Sequence, residues 1–233
     1  MKDQDAPSRP LTVMIPAYNE VDTIEHTLTR VLDVPMVGEV IVVNDGSDDG
    51  TGELLDRFED PRVQVLHHPR RMGKGWAIRT AIPHITGEIV VVQDADMEYE
   101  PHQLPRLAQP ILRGEASVVY GSRFRGTIQG MRLANWIGNR LLTQATNLLF
   151  GSHITDEATC YKMFRSDLLK SMPLRCIHFE FCPEVTARVL RDGIRIVEEP
   201  IDYHARPHAA GKKIRWWDFV SALLTLTRYR VFR

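Results

Sequence analysis

The segment GEIVVVQDADMEYEP, Gly87–Pro101, decides how the chain is read. Ile89 to Val92 form an unbroken apolar, β-branched run, the composition of a strand buried on both faces. Four carboxylates follow at once: Asp94, Asp96, Glu98 and Glu100. Like charges at a strand end repel, so cations or hydroxyl donors must come to them from elsewhere. Asp94 and Asp96 are two residues apart and, on an extended segment, point the same way. Hard oxygen ligands of this kind suit Mg²⁺ or Mn²⁺, with open positions for substrate phosphates. A solvated acidic loop ahead of a helix accounts for the same residues without a ligand.

Upstream of this segment the pattern alternates. Leu11–Pro16 (LTVMIP), Val40–Val43 and Val63–His67 read as strands. Ile24, Leu28, Val31 and Leu32 fall at helical spacing, and Thr51–Phe58 and Gly75–Ile82 read as further helices. Downstream, Ala116–Gly121 and Arg195–Pro200 read as strands, and Trp136–Phe150 and Trp216–Phe232 as helices. Apolar strands joined by helical crossovers predict an α/β fold: a mostly parallel central sheet with helices on both faces. Three strands end in polar clusters, AYNE, NDGSDDGT and QDADMEYE. In an open parallel sheet the ligand crevice lies outside the carboxyl ends of the strands.

Each cluster has a functional and a plain reading. In NDGSDDGT, Asp45 stands at a strand end to grip ribose hydroxyls or a base edge, and Gly46 permits a tight turn. A simple turn with Asp48 or Asp49 as helix cap is the reading these residues favour when taken alone. In PAYNE, Pro16 ends the strand, Tyr18 is suited to pack beside a planar base and Glu20 to accept from its amino groups. Asn19 is expected to cap the next helix. The basic groups lie in glycine-containing loops: Arg70, Arg71 and Lys74 in RRMGKG, Arg123 and Arg125 in GSRFRG. HARPHAAGKKIR adds Arg206, Lys212, Lys213 and Arg215. Arg binds phosphate oxygens by forked hydrogen bonds and Lys as a point charge; a solvated basic face is the alternative. RRMGKGWA is not a phosphate-binding P-loop, since it lacks the first glycine and the Ser/Thr after GK.

Composition narrows the class. The 233 residues are 43% hydrophobic and 25% charged, with a formal net charge of -1. That is globular composition for one α/β domain, and no nucleic-acid partner is expected. Three cysteines, Cys160, Cys176 and Cys182, form no metal-type C-x-x-C pair, and their odd number argues for a reducing compartment. No apolar stretch approaches the roughly 20 residues that cross a bilayer. The polar start MKDQDAPSRP carries no apolar targeting core. The expected location is cytoplasmic, or peripheral at the cytoplasmic membrane face.

LTVMIPAYNE, VIVVNDGSDDGT, HHPRRMGKGWAIRTA, GEIVVVQDADMEYEP and VVYGSRF together resemble a family 2 glycosyltransferase. The closer resemblance is to the dolichol-phosphate mannose synthase subgroup, the polyprenyl-phosphate glycosyltransferases. It continues through TDEATCYKMFR, FEFCPEVTARVLRDGIRIVEEPIDYHAR and GKKIRWWD, from Leu11 to about Asp218. The resemblance implies the GT-A fold. It also implies a flexible start over 1–10 and one catalytic domain over 11–215, with a nucleotide-sugar half to about 100 and an acceptor half beyond. A C-terminal amphipathic helix over 216–233 follows.

By the same resemblance, Pro16, Tyr18, Glu20 and Asp45 line the nucleoside, with Lys74 and Asp94 beside them. Asp94 and Asp96 form the D-x-D pair for Mg²⁺ or Mn²⁺, and Glu98 is the third metal ligand. Arg123 lies near the acceptor phosphate. Arg206, with Lys212 or Lys213, holds phosphates. Asp156 falls at the position of a catalytic acid pair.

The implied reaction moves a sugar with inversion from a nucleotide sugar, GDP-mannose or a UDP-hexose, to a polyprenyl or dolichyl phosphate. An ionised lipid phosphate needs no base; a hydroxyl acceptor needs one, and Asp156 is the candidate. Three rivals remain at this level: a transferase acting on a saccharide or small-molecule hydroxyl, a nucleotidyltransferase, and a non-catalytic nucleotide-binding module. IRWWDFVSALLTLTRYRVFR either lies in a bilayer interface or closes the domain as a packed helix, and a separate membrane protein is a further expected partner.

Overall fold

The short apolar runs of the sequence become the strands of one sheet. The structure, a computed structural model, describes residues 10–206 and 216–231. Lys212, Lys213 and nearly all of the expected flexible start lie outside the described residues.

In chain order the elements are β1 Leu11–Ala17, α1 Ile24–Leu32, β2 Val37–Asn44, α2 Thr51–Asp56, β3 Val63–His67 and α3 Lys74–Ala81. Next come β4 Ile89–Val92, α4 Leu104–Leu112, β5 Val118–Ser122, β6 Ile128–Gln129 and α5 Leu133–Phe150. The chain continues through β7 Lys162–Arg165, α6 Ser166–Ser171, α7 Phe181–Arg191, β8 Ile196–Pro200, β9 Tyr203–His204 and α8 Trp216–Val231.

The main sheet has seven strands in the order β3-β2-β1-β4-β7-β5-β8. β3, β2, β1 and β4 are mutually parallel, and Val13 of β1 stands between Val40 of β2 and Val91 of β4. β7 runs antiparallel to both β4 and β5, while β8 is parallel to β5. The sheet is therefore mostly parallel with one reversed strand. Every residue of β4 is buried, so helices and loops cover both of its faces. In α1 the spaced Ile24, Leu28, Val31 and Leu32 all turn inward. Full burial of such a side chain contributes about 1.5–3 kcal/mol.

Among the elements that escape a reading by periodicity, α4, β7 and α7 show why. α4 contains Pro105 at its start and Pro110 inside, residues that signal loop. β7 buries Lys162, a residue that argues against a core strand. α7 buries Glu184 and Arg188 among its apolar residues, which blurs its amphipathic pattern. A second, smaller core joins Leu142 of α5, Ala187 of α7, and Ala222 and Leu226 of α8.

Candidate active site

The exits of β1, β2 and β4 meet at one edge of the sheet, and their loops are stitched together by side chains. Asn19 has a left-handed backbone with φ 54. It does not cap α1, which begins five residues later with Thr23 at the cap position. Its Nδ2 donates to Asp48 Oδ1 at 2.7 Å, and its Oδ1 accepts from the Asp48 N–H at 3.0 Å. Asp45 is buried and draws the next loop down: it accepts from the N–H groups of Met72 and Gly73, both at 2.8 Å. His68 Nδ1 lies 2.7 Å from the same carboxylate, and its Nε2 lies 3.0 Å from Thr80 Oγ1. Gly46, at φ 69, makes this crossing possible, since a Cβ there would sit 2.4 Å from the Arg70 carbonyl carbon. The Arg71 guanidinium then lies over the Tyr18 ring, 4.4 Å from its centroid.

The acidic run after β4 is not extended. Asp96 Oδ1 accepts from the Glu98 N–H at 3.1 Å, and Met97 takes φ 62, so the segment turns. The extended backbone on which the same-side reading of Asp94 and Asp96 rests therefore gives way to a turn from Ala95.

The carboxylates are held by different partners, some charged and some neutral. Lys74 Nζ donates to Asp94 Oδ1 at 2.5 Å. Burial disfavours the Asp94 anion, but the adjacent Lys74 ammonium, with Arg206 farther off, holds its carboxyl below the ordinary range. Burial likewise opposes the Lys74 charge, and Asp94 overcomes it and raises the ammonium pKa.

Arg206 Nη2 donates to Glu20 Oε2 at 2.6 Å, and its Nε donates to the Asp96 carbonyl at 2.9 Å. The same Nε is 3.8 Å from Asp96 Oδ2. Glu98 accepts from the Tyr203 hydroxyl at 2.5 Å and the Arg206 N–H at 2.9 Å. Burial, and then the neighbouring Glu98, push the Tyr203 phenol up. Glu100 pairs with Arg30 of α1 and thus ties the loop to the core layer.

Asp94 and Asp96 keep 22% and 23% of their side-chain surface open to solvent. Their hard oxygens fit a divalent cation bound by one or two carboxylates, with phosphates and water completing its shell. Glu98 is already engaged by Tyr203 and the backbone. Among the described residues no three His, Cys, Asp or Glu side chains gather round one point.

At the end of β5 the arrangement differs. Arg123 Nε and Nη2 donate to Asp156 Oδ2 and Oδ1 at 2.7 and 2.8 Å, and the Arg123 N–H adds a third bond at 3.0 Å. Burial opposes the Arg123 charge, and Asp156 more than restores it. Glu198 fixes the partner loop by accepting from the N–H groups of Thr155 and Asp156 at 2.8 and 3.1 Å. The Tyr203 ring lies 5.1 Å from the Arg123 guanidinium.

Next to this pair, Glu157 is fully buried, and its oxygens have no hydrogen-bond partner among the described residues. Burial raises its pKa. All three cysteines are free thiols.

The structure thus brings Glu20, Lys74, Asp94, Asp96, Glu98 and Arg206 into one linked set. Asp45 and Tyr18 lie in the adjoining loops, and Pro16 lies within β1. Arg123 and Asp156 form a separate buried pair, joined to that set through Tyr203. Sequence reasoning passed over Arg30, His68, Glu198 and Tyr203. Their partners lie between 23 and 105 residues away in the chain. Only the alternation of acids and bases among the loops hints at them.

A mostly parallel sheet under helices, with acid-bearing loops along one edge, is the GT-A glycosyltransferase fold. The chain belongs to the family "Glycosyl transferase family 2", whose model matches residues 12–172, and it is a glycosyltransferase. An undecaprenyl-phosphate mannosyltransferase of Micrococcus luteus is 35% identical over 217 residues, covering 85% of this chain and 84% of that protein. A polyprenol monophosphomannose synthase of Mycolicibacterium smegmatis is 30% identical over 225 residues, covering 88% and 82%. Among solved structures, glucosyl-3-phosphoglycerate synthase from Mycobacterium tuberculosis, in complex with Mn²⁺, UDP and phosphoglyceric acid, matches with a TM-score of 0.74. It covers 97% of this chain and 80% of that chain at 22% identity, a likeness of fold.

Proposed function

We propose that the protein transfers a sugar, with inversion, from a nucleotide sugar (GDP-mannose or a UDP-hexose) to a polyprenyl phosphate. The observation that carries this reading is the state of Asp156. Its carboxylate is buried and already accepts three N–H groups of Arg123. Both of its oxygens are already engaged by Arg123 and turned away from solvent, so the carboxylate is badly placed to meet an acceptor hydroxyl, which needs a base. A phosphate monoester is already ionised near neutral pH and needs positioning instead. The two relatives named above carry polyprenyl phosphates in their names, which supports the same acceptor.

In this reading the half of the chain to about residue 100 receives the donor, and the half beyond it the acceptor. Pro16, Tyr18, Glu20 and Asp45 line the nucleoside. Asp94 and Asp96 hold Mg²⁺ or Mn²⁺, which when bound neutralises charge on the leaving diphosphate. Lys74 and Arg206 now rest on these acids. With the acids engaged elsewhere, both turn to phosphate oxygens, joined by Lys212 or Lys213. Glu98 orients Tyr203 and the Arg206 backbone. Asp156 fixes the Arg123 guanidinium, which offers its remaining N–H groups to the acceptor phosphate on the far side of the sugar.

The test is turnover of the purified protein with GDP-mannose, UDP-glucose and related donors, with Mg²⁺ or Mn²⁺, with and without a polyprenyl phosphate. Metal-dependent release of nucleoside diphosphate that requires the lipid is the expected result. Release that ignores the lipid and follows a hydroxyl acceptor overturns the acceptor assignment. Release of pyrophosphate marks a nucleotidyltransferase, and nucleotide binding without turnover a binding module.

A further inference from the structure

α5 is built inside out for a helix in water. Its 18 residues, LANWIGNRLLTQATNLLF, carry a single charge, Arg140. The buried face holds Leu142 with Thr143 and Thr146, whose hydroxyls bond back to the carbonyls of Asn139 and Leu142 at 2.8 and 3.0 Å. The outer face holds Leu133, Trp136, Ile137, Leu141 and Leu148, with Leu133 at 72% and Leu148 at 87% exposure. At 100° per residue these five fall on one arc, shared with Arg140 and Gln144. Scattered exposed leucines need no explanation, but a continuous apolar face opposite buried threonines marks an interaction surface.

α8 lies against α5 and repeats the pattern. Ala222 and Leu226 turn in towards Leu142 and Ala187. Trp217, Val220, Leu224 and Val231 are exposed along one stripe. Charge on the two helices is lopsided: Arg140, Arg228 and Arg230 against Asp218, with exposed Arg132 just ahead of α5.

The surface is also continuous with the candidate site. Phe124, next to Arg123, meets Trp136 edge to face at 5.9 Å. The Arg140 guanidinium lies 5.2 Å from the Phe124 ring and 6.0 Å from Trp136. Among the described residues no helix is long and apolar enough to cross a membrane.

We infer that the outer faces of α5 and α8 dock the protein onto an anionic lipid bilayer. The helices lie in its interface, with the Arg123 end of the site at headgroup level. Apolar residues flanked by arginines fit an interface of acyl chains and anionic headgroups. A symmetric pairing with a second copy fits worse, because a two-fold contact sets the same basic patch against itself. The role of this surface rests on the proposed lipid-phosphate acceptor, but the docking itself is measured without turnover.

The experiment is flotation of the full chain with vesicles of phosphatidylcholine alone and of phosphatidylcholine mixed with phosphatidylglycerol, with tryptophan quenching by brominated acyl chains as the second readout. The wild type is expected to float with the anionic vesicles and be quenched, and to release at high salt. The double variant Ile137→Glu/Leu141→Glu changes only exposed positions and is expected to lower partitioning about tenfold or more. Arg228→Gln/Arg230→Gln, which leaves the apolar face intact, is expected to remove the preference for anionic vesicles. Absence of wild-type flotation on protein-free vesicles overturns the inference, as does binding unchanged in the glutamate variant. A dimer that the glutamate variant dissociates, without vesicle binding, assigns the face to a second copy and overturns it too. Vesicle binding with no turnover on any lipid phosphate sustains the docking surface and removes the proposed acceptor. Turnover of a detergent-dispersed polyprenyl phosphate is expected to survive Ile137→Glu/Leu141→Glu.

Discussion

Two acid–base pairs flank the site, and burial separates their tasks. In Lys74–Asp94 the side chains are 23% and 22% exposed; in Arg123–Asp156 they are 6% and 0% exposed. The first pair is half-buried but open to solvent on one side, so a better ligand can reach its partners. The second is bidentate, has a backbone N–H as a third bond, and sits in a loop that Glu198 fixes in turn. Its partners stay together because a lone buried charge is far worse than the pair. The edge at the exits of β1, β2 and β4 is thus a set of exchangeable contacts, and the end of β5 is a fixed frame.

The largest effect expected from this contrast is on stability. Asp156→Ala leaves Arg123 buried without its counter-charge and should cost about 3–5 kcal/mol, read from urea unfolding. Arg123→Ala/Asp156→Ala should lose less than the two single changes added together. An Asp156→Ala protein with an unchanged urea midpoint would erase the distinction between frame and exchangeable edge.

Asp96→Asn should behave in the opposite way. It alters a partly exposed carboxylate, so stability should stay within about 0.5 kcal/mol of wild type. Nucleoside diphosphate release should nevertheless fall on the order of 10²–10³-fold. Glu98→Gln sharpens the same edge: with both oxygens already engaged by Tyr203 and Arg206, turnover should fall only about tenfold. A loss as large as that of Asp96→Asn would make Glu98 a metal ligand after all.

The contrast also explains what could be read from the chain. The acids at the strand exits were legible because they directly follow apolar strands: Asp45 after β2, Asp94 and Asp96 after β4. Strand identity and carboxylate position came from the same few residues. The resemblance pointed to Arg123 and Asp156 one by one, but their pairing was not legible, because Arg123 meets an aspartate 33 residues away and Tyr203 reaches back 105 residues to Glu98. Asp156 stands in the segment that leads into β7, which enters the sheet antiparallel between β4 and β5. A buried lysine hides that strand from hydrophobic patterning. Lys162 is admitted because it donates to the Glu157 carbonyl at 2.6 Å and lies 3.6 Å above the Tyr120 ring. No local pattern announces either contact.

Glu157 gives the smallest effect and the finest test, since it is buried beside the frame yet lacks a partner like Arg123. Burial raises its folded-state pKa above the unfolded value of about 4.3. The sign follows from proton linkage: below the unfolded value both states are protonated and nothing is lost. As pH rises above it, the unfolded chain ionises first and stability falls until the folded group ionises as well. Above the folded-state pKa the native protein carries the whole loss. Glu157→Gln keeps the shape, removes the ionisation and should raise Tm at pH 7–8 by about 2–4 °C per kcal/mol recovered. Near pH 4 the two proteins should melt together. A pH-independent difference would mean that Lys162 neutralises Glu157 across the whole range, making it a second fixed pair within the frame.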